Sequence, residues 1–271
     1  MVLFRVGKIF VWLGLNLILV LYLISAFRIR IPVLCFHQIL EVPSINPLSW
    51  QKKRFESLIV QLKALGYDFI LPDSVVSPND YLTRKQIILT FDDGTRDHLH
   101  TVLPLLKKHE IPGLFFWISD ELKKLNSDER QKLIKHLGIS KLGSHTTQWK
   151  SMLHMTSIQR EDEFDQSIAD LKNYVTYPIN NFAFPRGEYD ANLALMALQR
   201  FDYVFSVDLG YFWPNMNKVH GRYMLNSDTS DLKIQEYLNR SKPFKQWDFW
   251  VLLLSLIMLN FLLIIRKRLG L

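Results

Sequence analysis

Residues 87–94 read Ile-Ile-Leu-Thr-Phe-Asp-Asp-Gly, an apolar strand that stops on two adjacent carboxylates and a glycine. In folds that alternate strand and helix, ligands gather at the carboxyl ends of the strands. Two acids crowded at such an end repel unless a cation or a shared proton relieves them. Aspartate is also a favoured helix cap, so Asp92 and Asp93 read at first as caps or as a site with equal weight.

The same arrangement recurs along the chain. The apolar run 32–36 ends at His37, the short strand 141–144 leads to His145, and the strand 181–184 is stopped by Pro185. Between them lie helical spacings. Phe55, Leu58, Ile59, Leu62 and Leu65 fall on one face, with Gly66 at the capping position. Further helices are expected at 98–109, 157–174, 191–199 and 232–238, and strands at 67–71, 113–118, 203–207 and 222–225. This alternation predicts an α/β fold with a parallel sheet or barrel. The polar connection 41–53 is the candidate for a mobile substrate loop.

Two uncharged runs flank this region. Residues 9–27 are long enough to cross a bilayer as a helix at about 1.5 Å per residue. Residues 249–265 form a second, slightly shorter run, with Trp247 and Trp250 at its start, where interfacial aromatics are expected. The end of the first run lacks a clear small-x-small cleavage site, so an uncleaved anchor is expected rather than a signal peptide. The net charge of +7 is carried by Arg5, Lys8, Arg28, Arg30, Arg266, Lys267 and Arg268, in stretches that contain no acid. These flank the runs and are not a nucleic-acid footprint. The expected organisation is a basic tail at 1–8, a span at 9–27, a catalytic domain at 31–240, a span at 249–265 and a basic tail at 266–271. Both termini would be cytoplasmic and the domain between them extracytoplasmic, in the cell (inner) membrane. Cys35 is the only cysteine and reads as a buried core thiol.

The stretches PVLCFHQI, ILTFDDGTRD with LPLLKKHEIPGLFFWI, KLGSHTTQW and NFAFPRGEYD, in this order, resemble the polysaccharide deacetylases of the NodB-homology class, carbohydrate esterase family 4. The resemblance is greatest to the branch acting on poly-N-acetylglucosamine and spans roughly residues 32–237. It implies a distorted (β/α) barrel and a divalent metal, commonly zinc. It implies Asp92 as the catalytic base, Asp93 and His145 as metal ligands, and His37 as a histidine near the metal. Phe184, Pro185, Arg186 and Gly187 would line the sugar site. The implied activity is removal of N-acetyl groups from a cell-envelope polysaccharide or lipid-linked amino sugar. The implied partners are the N-acetylated glycan and the bilayer, with a polysaccharide synthase or export complex as a further candidate.

Three positions depart from the family pattern. Trp149 stands where the third metal ligand is usually a histidine; tryptophan cannot ligate, and it could instead stack on the sugar. His154 is a candidate replacement, with His37 and His98 behind it; the plainer readings are a surface-loop histidine for His154 and an exposed helix residue for His98. Ala183 replaces an arginine, for which Arg186 compensates unless it simply pairs with Glu188. Asn226 replaces a histidine that often acts as general acid, leaving His37 and His220 as candidates, though His220 also reads as a plain loop residue. A catalytically degenerate glycan-binding or assembly subunit is therefore the alternative.

Overall fold

The computed structural model describes residues 30–74, 85–214 and 216–240. Among these, no helix is long and apolar enough to cross a membrane. The two expected spans and both basic tails lie outside the described residues.

The strands are β1 (Ile31–Phe36), β2 (Gln38–Leu40), β3 (Ser49–Gln51), β4 (Tyr67–Phe69), β5 (Lys85–Phe91), β6 (Leu114–Trp117), β7 (Lys141–Ser144), β8 (Asn181–Ala183), β9 (Tyr203–Phe205), β10 (Tyr211–Phe212), β11 (Val219–His220) and β12 (Tyr223–Met224). The helices are α1 (Lys52–Ala64), α2 (Leu103–Lys108), α3 (Ser119–Lys123), α4 (Ser127–Leu137), α5 (Ser157–Lys172), α6 (Ala191–Arg200) and α7 (Asp231–Arg240). All but two strands join one ten-stranded sheet in the order β10-β1-β5-β6-β7-β8-β9-β11, with β12 also on β1 and β4 also on β5. Only the β1–β10 pairing in this sheet is antiparallel. Gly221 and Arg222 alone separate β11, paired with β9, from β12, paired with β1. That short link carries the sheet round from one end to the other, so the barrel is nearly closed.

The central strands are continuous apolar runs because both of their faces are covered, as parallel sheets require. Every residue of β1 and β6 is buried, and so is all of β5 beyond Lys85. Phe36, Phe91 and Phe115 stack in a row across three neighbouring strands, at 5.6 and 4.7 Å between ring centres. Each such side chain stabilises the fold by roughly 1.5–3 kcal/mol through burial. On the outer layer, α1 buries Phe55, Leu58, Ile59 and Leu62, and Gly66 follows it at φ +78°, as the spacing predicts. The helix starts are chemically defined: Asn126 with Glu129 and Thr156 with Gln159 form reciprocal capping boxes for α4 and α5.

The segment 41–53 is less free than its composition suggests. β2 and β3 pair within it, Trp50 is buried, and its Nε1 donates to the Asn226 carbonyl at 2.8 Å.

Candidate active site

Register puts the chemistry on one face. Phe36 lies opposite Phe91, Trp117 opposite Ser144, and Ser144 opposite Phe182. The residues that follow these strand ends are His37, Asp92 with Asp93, His145 and Phe184. They therefore leave the sheet at the same end of the barrel. The ladder continues one step beyond the strands, with Asp92 N donating to Phe36 O at 2.9 Å and His145 N to Trp117 O at 3.0 Å.

Among the described residues four non-glycine residues have positive φ, and three stand just past these strand ends: Asp93 (φ 74°), Thr146 (φ 65°) and Arg186 (φ 59°). Such strain persists only where the surroundings impose it, and it concentrates at functional sites. At Thr146 the imposition is visible. Ser119 N donates to Thr146 O, Asp120 N to Thr147 O, and Thr147 donates both N–H and Oγ1–H to Glu163 Oε2.

The two adjacent carboxylates have different surroundings. Asp92 is buried, and Arg222 grips it through two parallel bonds, Nη1 to Oδ1 at 2.6 Å and Nη2 to Oδ2 at 2.7 Å. Arg222 Nε donates to Ser206 O at 2.9 Å, and its guanidinium lies over Phe116. Burial pushes the Asp92 carboxyl up, but the Arg222 charge, with His145 and His37 nearby, outweighs burial and holds it below the usual carboxylate range. Cys35 Sγ faces Asp92 Oδ2 at 3.6 Å, and burial drives its thiol well above the usual range, so it is a neutral donor there.

Asp93 is part-exposed, yet its Oδ1 is buried without a hydrogen-bond partner. That oxygen lies 3.5 Å from His145 Nε2. The other ring nitrogen, Nδ1, donates to the Ala183 carbonyl at 2.8 Å. This bond fixes the tautomer and turns the Nε2 lone pair toward Asp93, the arrangement expected of a metal-ligating histidine. His37 stands beside them; its Nδ1 is also buried without a partner, and burial lowers its pKa. Its carbonyl accepts from His98 Nε2.

Bare buried oxygen and oriented imidazole fit a divalent cation at Asp93 and His145. Cys35, His37 and Asp92 also bring donor atoms within 4.8 Å of one another. That trio suits a cation less well, because the thiol is protonated and both Asp92 oxygens are taken by Arg222. Among the described residues no third His, Cys, Asp or Glu joins Asp93 and His145 at that spacing. His154 is exposed on the turn before α5.

The remaining expected residues divide. Phe184 and Pro185 are buried, with Phe184 stacked on Tyr189 at 4.9 Å. Trp149 is 51 % exposed, and the Arg186 guanidinium lies over its ring at 4.2 Å. Arg186 does not compensate for Ala183, nor does it pair with Glu188. The guanidinium that faces Asp92 comes instead from Arg222, on the far side of the barrel closure. His98 is fully buried, not an exposed helix residue. His220 is buried in β11, where its Nδ1 accepts from Trp213 N at 3.3 Å. Arg222 was readable in the sequence only as an arginine heading a short apolar run.

The sequence matches the Polysaccharide deacetylase family over residues 79–205. Over 183 residues it is 27 % identical to YxkH of Bacillus subtilis (strain 168), a protein provisionally named a polysaccharide deacetylase. That match takes in 66 % of this chain and 64 % of the relative, so the chain spans just under two thirds of it. Among solved structures, IcaB from Ammonifex degensii superposes with a TM-score of 0.64 at 23 % identity, covering 78 % of this chain and 97 % of that one. Streptococcus pyogenes deacetylase PplD, solved in complex with acetate, gives 0.69 at 20 % identity, covering 78 % and 99 %. At these identities the two structures establish a shared fold. The shared feature is a nearly closed α/β barrel, which here carries a paired-aspartate strand end. The chain is thus similar to the polysaccharide deacetylase family, through residues 79–205 and through its 27 % identity to YxkH.

Proposed function

We propose that this chain is a membrane-anchored, metal-dependent hydrolase that removes N-acetyl groups from a cell-envelope polysaccharide or lipid-linked amino sugar. The observation that carries the reading is the unequal treatment of two adjacent carboxylates. Asp92 is buried, ionised and gripped by Arg222, whereas Asp93 turns a bare oxygen toward His145 Nε2.

A divalent cation, commonly zinc in this family, would supply polarisation of the acyl carbonyl and acidification of water when bound. Asp93 and His145 are the residues that would hold it. Asp92, aimed by Arg222, takes a proton from the attacking water. A carboxylate this acidic is a weak base, so it depends on a water that is itself acidic. His37, kept neutral by burial, is free to take up the proton released from the water and would relay it to the departing amine nitrogen. The flanking apolar runs support a position at the membrane, with the barrel outside the cytoplasm. There a glycan emerging from a synthase or export complex would be within reach. A glycan-binding or assembly subunit without catalysis is the second reading, favoured by Trp149 in the place of a third ligand.

The test is acetate release from N-acetylated chito-oligosaccharides by the detergent-solubilised full chain, with metal content measured alongside. Asp92→Asn is expected to abolish release and keep the metal; Asp93→Asn is expected to lose both. Equal metal loss in the two variants would show that the roles are wrongly divided. A metal-loaded wild type that releases no acetate would favour the glycan-binding reading.

A further inference from the structure

We propose that Trp149 and Arg186 form a subsite for an acidic sugar next to the acyl-bearing one, the open indole face taking the ring and the guanidinium taking the anion. The inference deepens the proposed deacetylase reading and rests on it for the position of the acyl group.

The two residues come from different loops that are tied together at the candidate site. His145 Nδ1 donates to Ala183 O at 2.8 Å. Trp149 lies four residues beyond the first partner, and Arg186 three beyond the second. Both side chains are exposed, and they meet with the guanidinium 4.2 Å from the indole centre. Among the described residues no carboxylate pairs with Arg186. Its donors are therefore free at the edge of an aromatic plate, which is the shape that recognises a carboxylate or phosphate in two-point fashion.

The pair is poorly explained by stability. Arg186 is held in the left-handed region (φ 59°, ψ 5°), which an arginine adopts only under strain. The turn is imposed from outside. Gly187 N donates to Phe184 O at 2.9 Å, and a Cβ on Gly187 would meet the Val207 side chain at 2.2 Å. An exposed cation–π stack returns less than such strain costs. Asparagine or glycine would relieve the strain, but neither could lay a guanidinium on Trp149. An aromatic plate also suits a pyranose, whose apolar C–H face packs on indole.

The test compares three tetrasaccharides on the full chain: the neutral N-acetylated chitotetraose, the same tetramer carrying a 6-phosphate, and a hyaluronan tetrasaccharide, which alternates N-acetylhexosamine with a uronic acid. Wild type is expected to favour an acidic substrate through KM. The phosphate and carboxylate arms tell which anion is read. Arg186→Gln is expected to reduce the acidic-over-neutral ratio of kcat/KM about tenfold, the worth of one charge-assisted contact. Arg186→Lys should recover part of it. A ratio unchanged by Arg186→Gln, or a wild type without acidic preference, overturns the proposal. Calorimetric binding to the Asp92→Asn protein separates this from the activity. If wild type releases no acetate, acidic-selective binding that Arg186→Gln removes would still establish the subsite. Absence of selective binding would end it.

Discussion

Arg222 and Asp92 are both fully buried, and each charge is tolerable only because the other is there. Removing one partner strands the other in a low-dielectric interior. Arg222→Ala is expected to destabilise the protein by about 3–5 kcal/mol, read as a fall in thermal midpoint. Asp92→Asn/Arg222→Met should cost less than the sum of its single changes, since no lone charge remains. His220 makes a second residue-scale prediction. Burial, with a smaller push from Lys218, lowers its pKa to about 4 from the ordinary 6.5. The unfolded chain therefore binds a proton between these values while the folded one does not. Stability from this group is full above pH 6.5 and is lost as pH falls toward 4. The loss is on the order of 3 kcal/mol. Thermal midpoints of wild type and His220→Gln should diverge above pH 6.5 and converge near pH 4. A constant gap across that window would remove the assignment.

At the level of elements, the turn after β5 and the cap of α5 give opposite expectations. Gly94 has φ +71°, and a Cβ there would lie 2.5 Å from the Trp117 ring. Gly94→Ala should cost several times the roughly 1 kcal/mol of an exposed helical substitution, and should weaken metal binding by moving Asp93. Thr156→Ala removes one cap, expected to cost about 1 kcal/mol, with metal content unchanged. These elements were largely legible in the sequence. Strand 141–144 is found at its expected bounds, because its polar successor and helical neighbours mark both ends. Asp92 and Asp93 were legible as the abrupt end of an apolar run, and His145 as the residue after a short strand, while their roles came from the resemblance. What the sequence hid depends on distant pairing. Arg222 meets Asp92 across 130 positions, and no local spacing announces such a partner. His98 reads as exposed from its place at the start of an expected helix, whereas the structure has a π-turn at His98–Val102 with the His98 ring buried and bonded to the His37 carbonyl.

On the scale of the whole molecule, the proposed topology has a direct check. A reporter active only in the cytoplasm, fused after Leu271, should give signal, and one inserted near Asp128 should not. The reverse pattern would make an envelope glycan untenable as substrate. The barrel closure carries a consequence for how the molecule is made. The matched family region ends at residue 205, before the guanidinium that fixes Asp92 has appeared. A chain leaving the ribosome displays its paired aspartates long before it can orient them. Until Arg222 arrives, the Asp92 carboxylate lacks its two-point partner. Under the proposed function, hydrolysis would therefore wait until Arg222 has reached Asp92.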